Sequence, residues 1–404
     1  FKQEKRWPVK KKVIAAVGTM KIKTLKPQLL AFIADPSSLA EERMLAIHAL
    51  LKIQDFLERK EVLALVTSSR SGLRLLACQA IMHFESMRDL DQLVLLCKDF
   101  NAEVRAAALQ AIGLLKPADL PQEVLILARK FVKESHCQLA IAAAWLLTLY
   151  YPEEGRDHFA FLLKNPKRRD CLLAAMALKA TGKYGLPLSL QLFTSHKDPF
   201  IRLNLAEHVA QQQTETLKAC QVIASVLKNN QQRWCLIEEG IFTGIATRQI
   251  FFNQEKEAEM EDQLLRLEML NLLAMFKWPQ AQEAIKQFLA ERSWGVTGAA
   301  ASLLLTEGDE TAVEIVRNLL HDPSAKVRLQ AALVLSLWSQ EEEAIKTLEQ
   351  SYSISAQEQK CHIVEALGRI GSMQSLPFLI DLLNEPSQTL RVIAALALIQ
   401  CLHH

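Results

Sequence analysis

A basic residue returns along this chain at a nearly constant interval, and that interval limits the fold more than any other feature. Lys10, Arg43, Arg74, Arg105, Arg202, Arg233, Arg266, Arg328, Lys360 and Arg391 stand 31 to 33 residues apart, or multiples of that step. Gln138, Cys171 and Thr297 fill the three gaps in the series. With each of these thirteen positions taken as slot zero, Ala recurs at +3 (Ala46, Ala77, Ala108, Ala174, Ala300, Ala331, Ala394). A large apolar residue stands at +7 in every copy but one, where the chain has Gly240. Offsets of three, four and seven share one face of a helix, and small Ala lets a neighbouring helix come close. Such a series is the signature of a repeat array.

Each period holds a second helix upstream of the slot. Pro27, Pro121, Pro187, Pro279 and Pro377 open five of them, at positions where a missing N–H costs nothing. Asp35-Pro36, Asn165-Pro166, Asp198-Pro199, Asp322-Pro323 and Glu385-Pro386 end these helices and cap the slot helices. A pair of helices of this size cannot bury its apolar faces alone, so the units must stack. Thirteen Gly and thirteen Pro in 404 residues fit long helices better than strands.

The pattern acidic-Pro, Val/Leu-Arg, x-x-Ala, x-x-Ala-Leu-Gly resembles the short HEAT repeat of phycobilisome-lyase-like proteins. "EVRAAALQAIG" (Glu103 to Gly113) and "KCHIVEALGRIG" (Lys360 to Gly371) carry it most closely. The resemblance implies an all-α fold, a right-handed α-α superhelix (armadillo-like α-solenoid) of about thirteen two-helix repeats. It covers residues 1–404 as one array with an irregular repeat near 240–265, and its weakest copies surround Cys171, Arg233 and Thr297. It also implies that the recurring Arg serves the scaffold, bonding the acid of the turn between the two helices and carbonyls of the adjacent repeat, rather than forming a ladder for phosphates.

If slot helices line the concave side, as in HEAT solenoids, the helical wheel leaves one stripe open. Offset +4 is apolar or Cys in every copy, whereas +5, flanked by +2 and +9, is often polar. The candidate partner-binding stripe is therefore His48, Lys52, Gln79, His83, Gln110, Ala143, Leu147, Leu173, Met176, Glu207, Glu238, Asn271 and Glu365, with Asn204 and Gln330 beside it. At Ala143, Leu147, Leu173 and Met176 it turns apolar. Either a partner helix seats there, or the wheel is one residue out of phase.

Charge divides along the chain. Residues 1–200 hold 30 Lys+Arg against 20 Asp+Glu, a balance of +10, and residues 201–404 hold 17 against 25, a balance of −8. "KQEKRWPVKKK" (Lys2 to Lys12) and "KNPKRRD" (Lys164 to Asp170) are basic, and "EKEAEMED" (Glu255 to Asp262) is acidic. The expectation is a non-enzymatic scaffold binding a protein on its concave face. An electrostatic binder of nucleic acid or an anionic surface through the basic half stays open beside it.

Catalytic signatures are missing from the sequence. Deoxyhypusine hydroxylases share this architecture but carry His-Glu pairs for a di-iron centre; here no His precedes a Glu. No Gly-rich phosphate loop, nucleophile elbow or H-E-x-x-H occurs. No motif specific to chromophore attachment is found, and a lyase-type activity stays open as a third reading. Trp145, Trp234, Trp278, Trp294 and Trp338 mostly fall at apolar positions, unlike the aromatic and basic groove of HEAT-like DNA glycosylases. No cofactor or metal is expected. Eight cysteines without a C-x-x-C suit a reducing, cytoplasmic setting, and no apolar run reaches the ~20 residues of a membrane span. The chain starts at Phe1, which says nothing about a leader. The last helix, "TLRVIAALALIQCL" (Thr389 to Leu402), is apolar on several faces, and the first slot lacks its upstream helix. Further repeats beyond one end, or end-to-end association of copies, are expected.

Overall fold

The computed structural model describes residues 7–53, 57–85, 87–228, 232–248, 258–278, 310–336 and 341–403. The Thr297 copy, Pro279, Trp294, Trp338 and Ile250 to Phe252 lie outside them. The chain divides into two compact units, residues 1–192 with 238–244, and residues 193–237 with 245–404. Both are stacks of paired helices, the all-α solenoid the repeat predicts.

In the first unit the slot helices are α1 (Trp7–Thr19), α3 (Ala40–Leu51), α5 (Ser71–His83), α7 (Ala102–Leu115), α9 (Cys137–Tyr150) and α11 (Arg168–Lys179). Each packs on the next in that order. Their partners are α2 (Lys26–Ala34), α4 (Arg59–Val66), α6 (Leu90–Leu96), α8 (Gln122–Phe131), α10 (Pro152–Leu162) and α12 (Leu186–Leu192). The second unit holds α13 (Pro199–Gln211), α14 (Thr216–Leu227), α15 (Ala258–Met275), α16 (Glu310–Asn318), α17 (Ala325–Leu335), α18 (Glu342–Tyr352), α19 (Gln357–Ile370), α20 (Leu376–Asp381) and α21 (Gln388–His403). No helix among the described residues is long and apolar enough to cross a membrane.

The turns explain where the helices begin. Asp198 Oδ1 accepts from the N–H groups of Phe200 and Ile201, and Asn101 Oδ1 does the same for Glu103 and Val104. Both satisfy donors that the first turn leaves orphaned. Asp198 and Asn101 thus cap their helices, whereas α3, α11 and α17 take Leu39, Lys167 and Ser324 at the cap position, not Asp35, Asn165 or Asp322. The slot arginine uses the turn differently from the expected pattern. Arg202 donates to the carbonyl of His196, Arg328 to Asp322 and Pro323, and Arg391 to Glu385 and Pro386. These are carbonyls of its own turn. Arg74 and Arg105 meet a carboxylate of the following repeat, Asp99 and Glu134 respectively. Where Cys171 replaces Arg, its thiol donates to the carbonyl of Asn165, six residues back, at 3.0 Å.

The Gly that closes the repeat motif, at +8, has a packing reason. A Cβ on Gly18 would stand 2.7 Å from Cα of Ala49, and one on Gly368 would stand 2.7 Å from Cα of Ala397. Backbone meets backbone there, so successive slot helices approach as closely as they can. Gly368→Val should force α19 from α21 and cost about 1–3 kcal/mol of stability. Thermal unfolding followed by circular dichroism reads this; an unchanged midpoint would mean the helices slide apart freely.

The Arg233 copy departs from the helical expectation. Trp234–Glu239 is a strand, β1, and Phe242–Thr247 is its partner, β2. Together they form a two-stranded hairpin. Gly240, at φ 64°, supplies the left-handed residue of the two-residue loop. Glu238, expected on a slot helix, therefore stands on a strand.

Candidate functional site

The stripe is not uniformly open, and its two rows differ. Offset +5 is largely closed: His48 is half-buried, Gln79 and Gln110 are 4% and 6% exposed, and Ala143, Met176 and Glu207 are buried. Offset +9 is open in the first repeats, at Lys52, His83 and Leu114, before closing at Leu147. Leu173 is buried as well. Glu365 is exposed in the second unit, and Asn271 lies on α15. The apolar stretch of the stripe thus faces the protein's own interior. Leu139 to Thr148 are all buried, so burial does not choose between the two phases of the wheel.

Part of what closes the +5 row is the hairpin. Its tip, residues 238–244, belongs to the first unit. A side chain at Gly240 would collide with the Gln110 amide, its Cβ lying 2.3 Å from Oε1. Gln138 Nε2 donates to the Glu239 carboxylate. Phe242 meets Trp145 edge to face, with ring centroids 5.7 Å apart. Trp145 is itself held by the carbonyl of Ala180, to which its Nε1 donates at 3.2 Å. Burial pushes the His48 pKa below its ordinary value; the Glu238 carboxylate opposes that shift and the Lys52 ammonium adds to it. His48, Gln110 and Glu238, three stripe residues, are therefore brought together around one tip.

The base of the hairpin is fixed within the second unit. Asn204, fully buried at offset +2 of α13, donates through Nδ2 to the carbonyl of Ile245 at 2.7 Å and accepts from its N–H at 3.0 Å. The Trp234 N–H donates to Asp262 Oδ1 at 2.7 Å. Arg266, the slot residue of α15, donates to both Asp262 oxygens and to the carbonyls of Leu227 and Gln232, and its guanidinium lies 4.6 Å over the Trp234 ring. Phe200 packs edge to face on the other partner of that cage, Trp234, at 5.7 Å.

Gln138, Trp145, Glu239 and Phe242 were not among the stripe residues read from the sequence. The signal for them was Gly240, the one break in the +7 column, between two runs rich in β-branched and aromatic residues. Burial, first among its causes, pushes Cys97, Cys137 and Cys235 up to about 12, away from thiolate chemistry. Among the described residues no group of His, Cys, Asp and Glu is arranged to hold a metal ion.

Residues 313–399 match the family model described as HEAT repeats. Several solved structures resemble the chain in fold. The karyopherin Kap121p, in a complex with the extreme C-terminus of the phosphatase Cdc14p, is 11% identical with a TM-score of 0.39, over 98% of this chain and 55% of the karyopherin. The chain thus spans about half of that protein's length. Human deoxyhypusine hydroxylase is 15% identical with a TM-score of 0.22, over 98% of both chains. The CpcE–CpcF phycocyanin lyase of Nostoc is 17% identical with a TM-score of 0.26, over 71% of this chain and 91% of that one. Scores this low carry no argument about function. A search by sequence among curated proteins finds no match.

Proposed function

We propose that this HEAT-repeat protein is a non-enzymatic scaffold, cytoplasmic in setting, which holds a protein partner along the slot-helix stripe of its first unit. The observation that carries the reading is the open +9 row. Lys52, His83 and Leu114 stand exposed at the ends of three successive slot helices, with exposed Phe84 beside His83. One cation, Lys52, stands there with the apolar Phe84 and Leu114, a surface suited to an acidic segment with apolar anchors. The positive balance of the first half of the chain works in the same direction, drawing in acidic partners. The phosphate-ladder alternative is weakened because Arg74, Arg105 and Arg202 are committed to turn carbonyls.

The test is a pull-down read by mass spectrometry, comparing wild type with the Lys52→Glu/His83→Glu double variant. Both residues are exposed, so helical circular dichroism should not change. The expected result is a defined set of proteins captured by wild type and lost from the variant; equal capture by both sinks the stripe. Labelled DNA and RNA are titrated in parallel at two salt concentrations. Submicromolar, salt-sensitive binding that Lys10→Glu, Lys11→Glu and Lys12→Glu weaken would put the nucleic-acid reading in its place.

A further inference from the structure

The hairpin tip is a foreign body in the unit that holds it. Residues 238–244 cluster with residues 1–192, although 45 residues of the second unit, 193–237, separate them in sequence. The tip is thus an extended segment seated on the stripe of a unit to which it is not directly joined. We propose that this seat recognises an extended acidic-aromatic segment of a partner protein, with the chain's own tip, "EEGIF" (Glu238 to Phe242), holding the place as an internal competitor. The inference deepens the scaffold reading and rests on it.

Each element of that chemistry has its counterpart in the seat. The second acid, Glu239, accepts from Gln138. The first, Glu238, is exposed and lies within electrostatic reach of His48, which also feels the Lys52 ammonium. The glycine is needed because Gln110 occupies the space a side chain would take. The aromatic residue lies edge-on to Trp145, a side chain that Gly113 makes room for, since a Cβ there would stand 2.3 Å from the indole ring. A segment carrying acid, acid, small residue and aromatic at this spacing would satisfy all four.

The tip is also suited to being displaced. A two-stranded ribbon, with no further strand among the described residues, is marginal by itself and relies on whatever it docks against. Its anchors at Asn204 and Asp262 hold the base, at Ile245 and Trp234, while the tip is held by the Gln138–Glu239 hydrogen bond and the Phe242–Trp145 contact. Along the tip, Glu238 and Thr243 already face solvent. A partner segment reaching beyond the tip would gain the open row at Lys52 and His83. The tip's Glu238 lies within electrostatic reach of His48. Exposed Lys52 offers a longer ligand a further charge to engage.

The experiment uses the full chain and a fluorescent peptide of the tip sequence, LIEEGIFTG, read by anisotropy. The Phe242→Ala variant of the protein, whose tip has lost its aromatic anchor, should bind the peptide at least about ten times more tightly than wild type. A control peptide with Ala in place of that Phe should bind neither protein. Equal binding to wild type and variant, or no binding to either at millimolar peptide, overturns the proposal. If Phe242→Ala fails to fold by circular dichroism, wild type decides. Saturating peptide should remove the hydrogen-exchange protection of residues 238–244, and bound peptide that leaves this protection intact sits elsewhere and refutes the inference. The scaffold reading fails separately, by capture that does not depend on Lys52 and His83.

Discussion

Asp262→Ala should destabilise the second unit by about 3–5 kcal/mol, the range expected when one member of a buried ion pair is removed. Arg266 and Asp262 have side chains only 4% and 11% exposed, so neither charge is well served by water. The carboxylate accepts Nε of Arg266 on both oxygens, at 3.0 and 3.1 Å, and also the N–H of Trp234 at 2.7 Å. Its loss therefore harms two groups at once. The guanidinium keeps the carbonyls of Leu227 and Gln232 and its place over the Trp234 ring. Asp262→Asn, which keeps an acceptor for the Trp234 N–H but no charge, should fall between wild type and Ala. The Asp262→Ala/Arg266→Met double variant should recover much of the loss, because a buried pair is harder to break than to replace. Urea unfolding followed by tryptophan fluorescence reads all three. An Ala variant within about 0.5 kcal/mol of wild type, the scatter of ordinary surface substitutions, would mean that solvent reaches the pair.

The same residues show why the sequence led only part of the way. Arg266 was legible as a slot because the array repeats its helix, and helical periodicity survives in any window long enough to count it. Arg233 fell on the same comb, with Ile237 at +4, so the frame ran on through a segment that is no helix. Six residues are too few to tell period 3.6 from period 2: "WCLIEE" places buried residues at 234, 235 and 237, and either frame accommodates them. Gly240 was the informative residue, being the one position where a helical core would have kept an apolar side chain.

The closed +5 row has a different reason. A wheel states which side of a helix lacks helical neighbours, but it cannot state what a distant segment lays over that side. Gln110 and Gln79 were taken as open because they are polar; they are nearly as enclosed as Ala143. Lys52 and His83 are exposed because they stand at the helix ends, beyond the closed +5 row. The repeated Gly at +8 was visible in the motif itself, yet its meaning needed the distance to the next helix's backbone. The alternation of Arg and turn was legible as a scaffold feature. Its direction, own carbonyls and the neighbour's acid, was not, since both lie at spacings the repeat makes equivalent.

That direction makes Asp99→Ala the second large effect. Arg74 sits in one repeat and Asp99 in the turn of the next, and their side chains are 12% and 5% exposed. The pair is bidentate, Nε and NH2 of Arg74 on the two oxygens, and the hydrogen-bonded carboxylate raises the Arg74 pKa above its ordinary value. Asp99 Oδ1 also accepts, at 2.8 Å, the N–H of Asn101, the residue that caps α7. One carboxylate thus closes a turn and ties two repeats together. In a stack where stability is close to a sum of repeats and nearest-neighbour interfaces, such a tie belongs to the interface. Its removal should cost about 3 kcal/mol, at the low end for a buried pair because Arg74 keeps the carbonyl of Ser68 at 2.8 Å. The loss should also be directional. Hydrogen exchange in α1 to α5 should quicken while α9 and α11, on the other side of the broken tie, keep their protection. Glu134→Ala, removing the more exposed partner of Arg105 in the next interface, should do the same more weakly, since those side chains are 17% and 31% exposed. If exchange instead quickens evenly through all the slot helices of the unit, the repeats unfold as one body, and the ion pairs between them do not set where the stack opens.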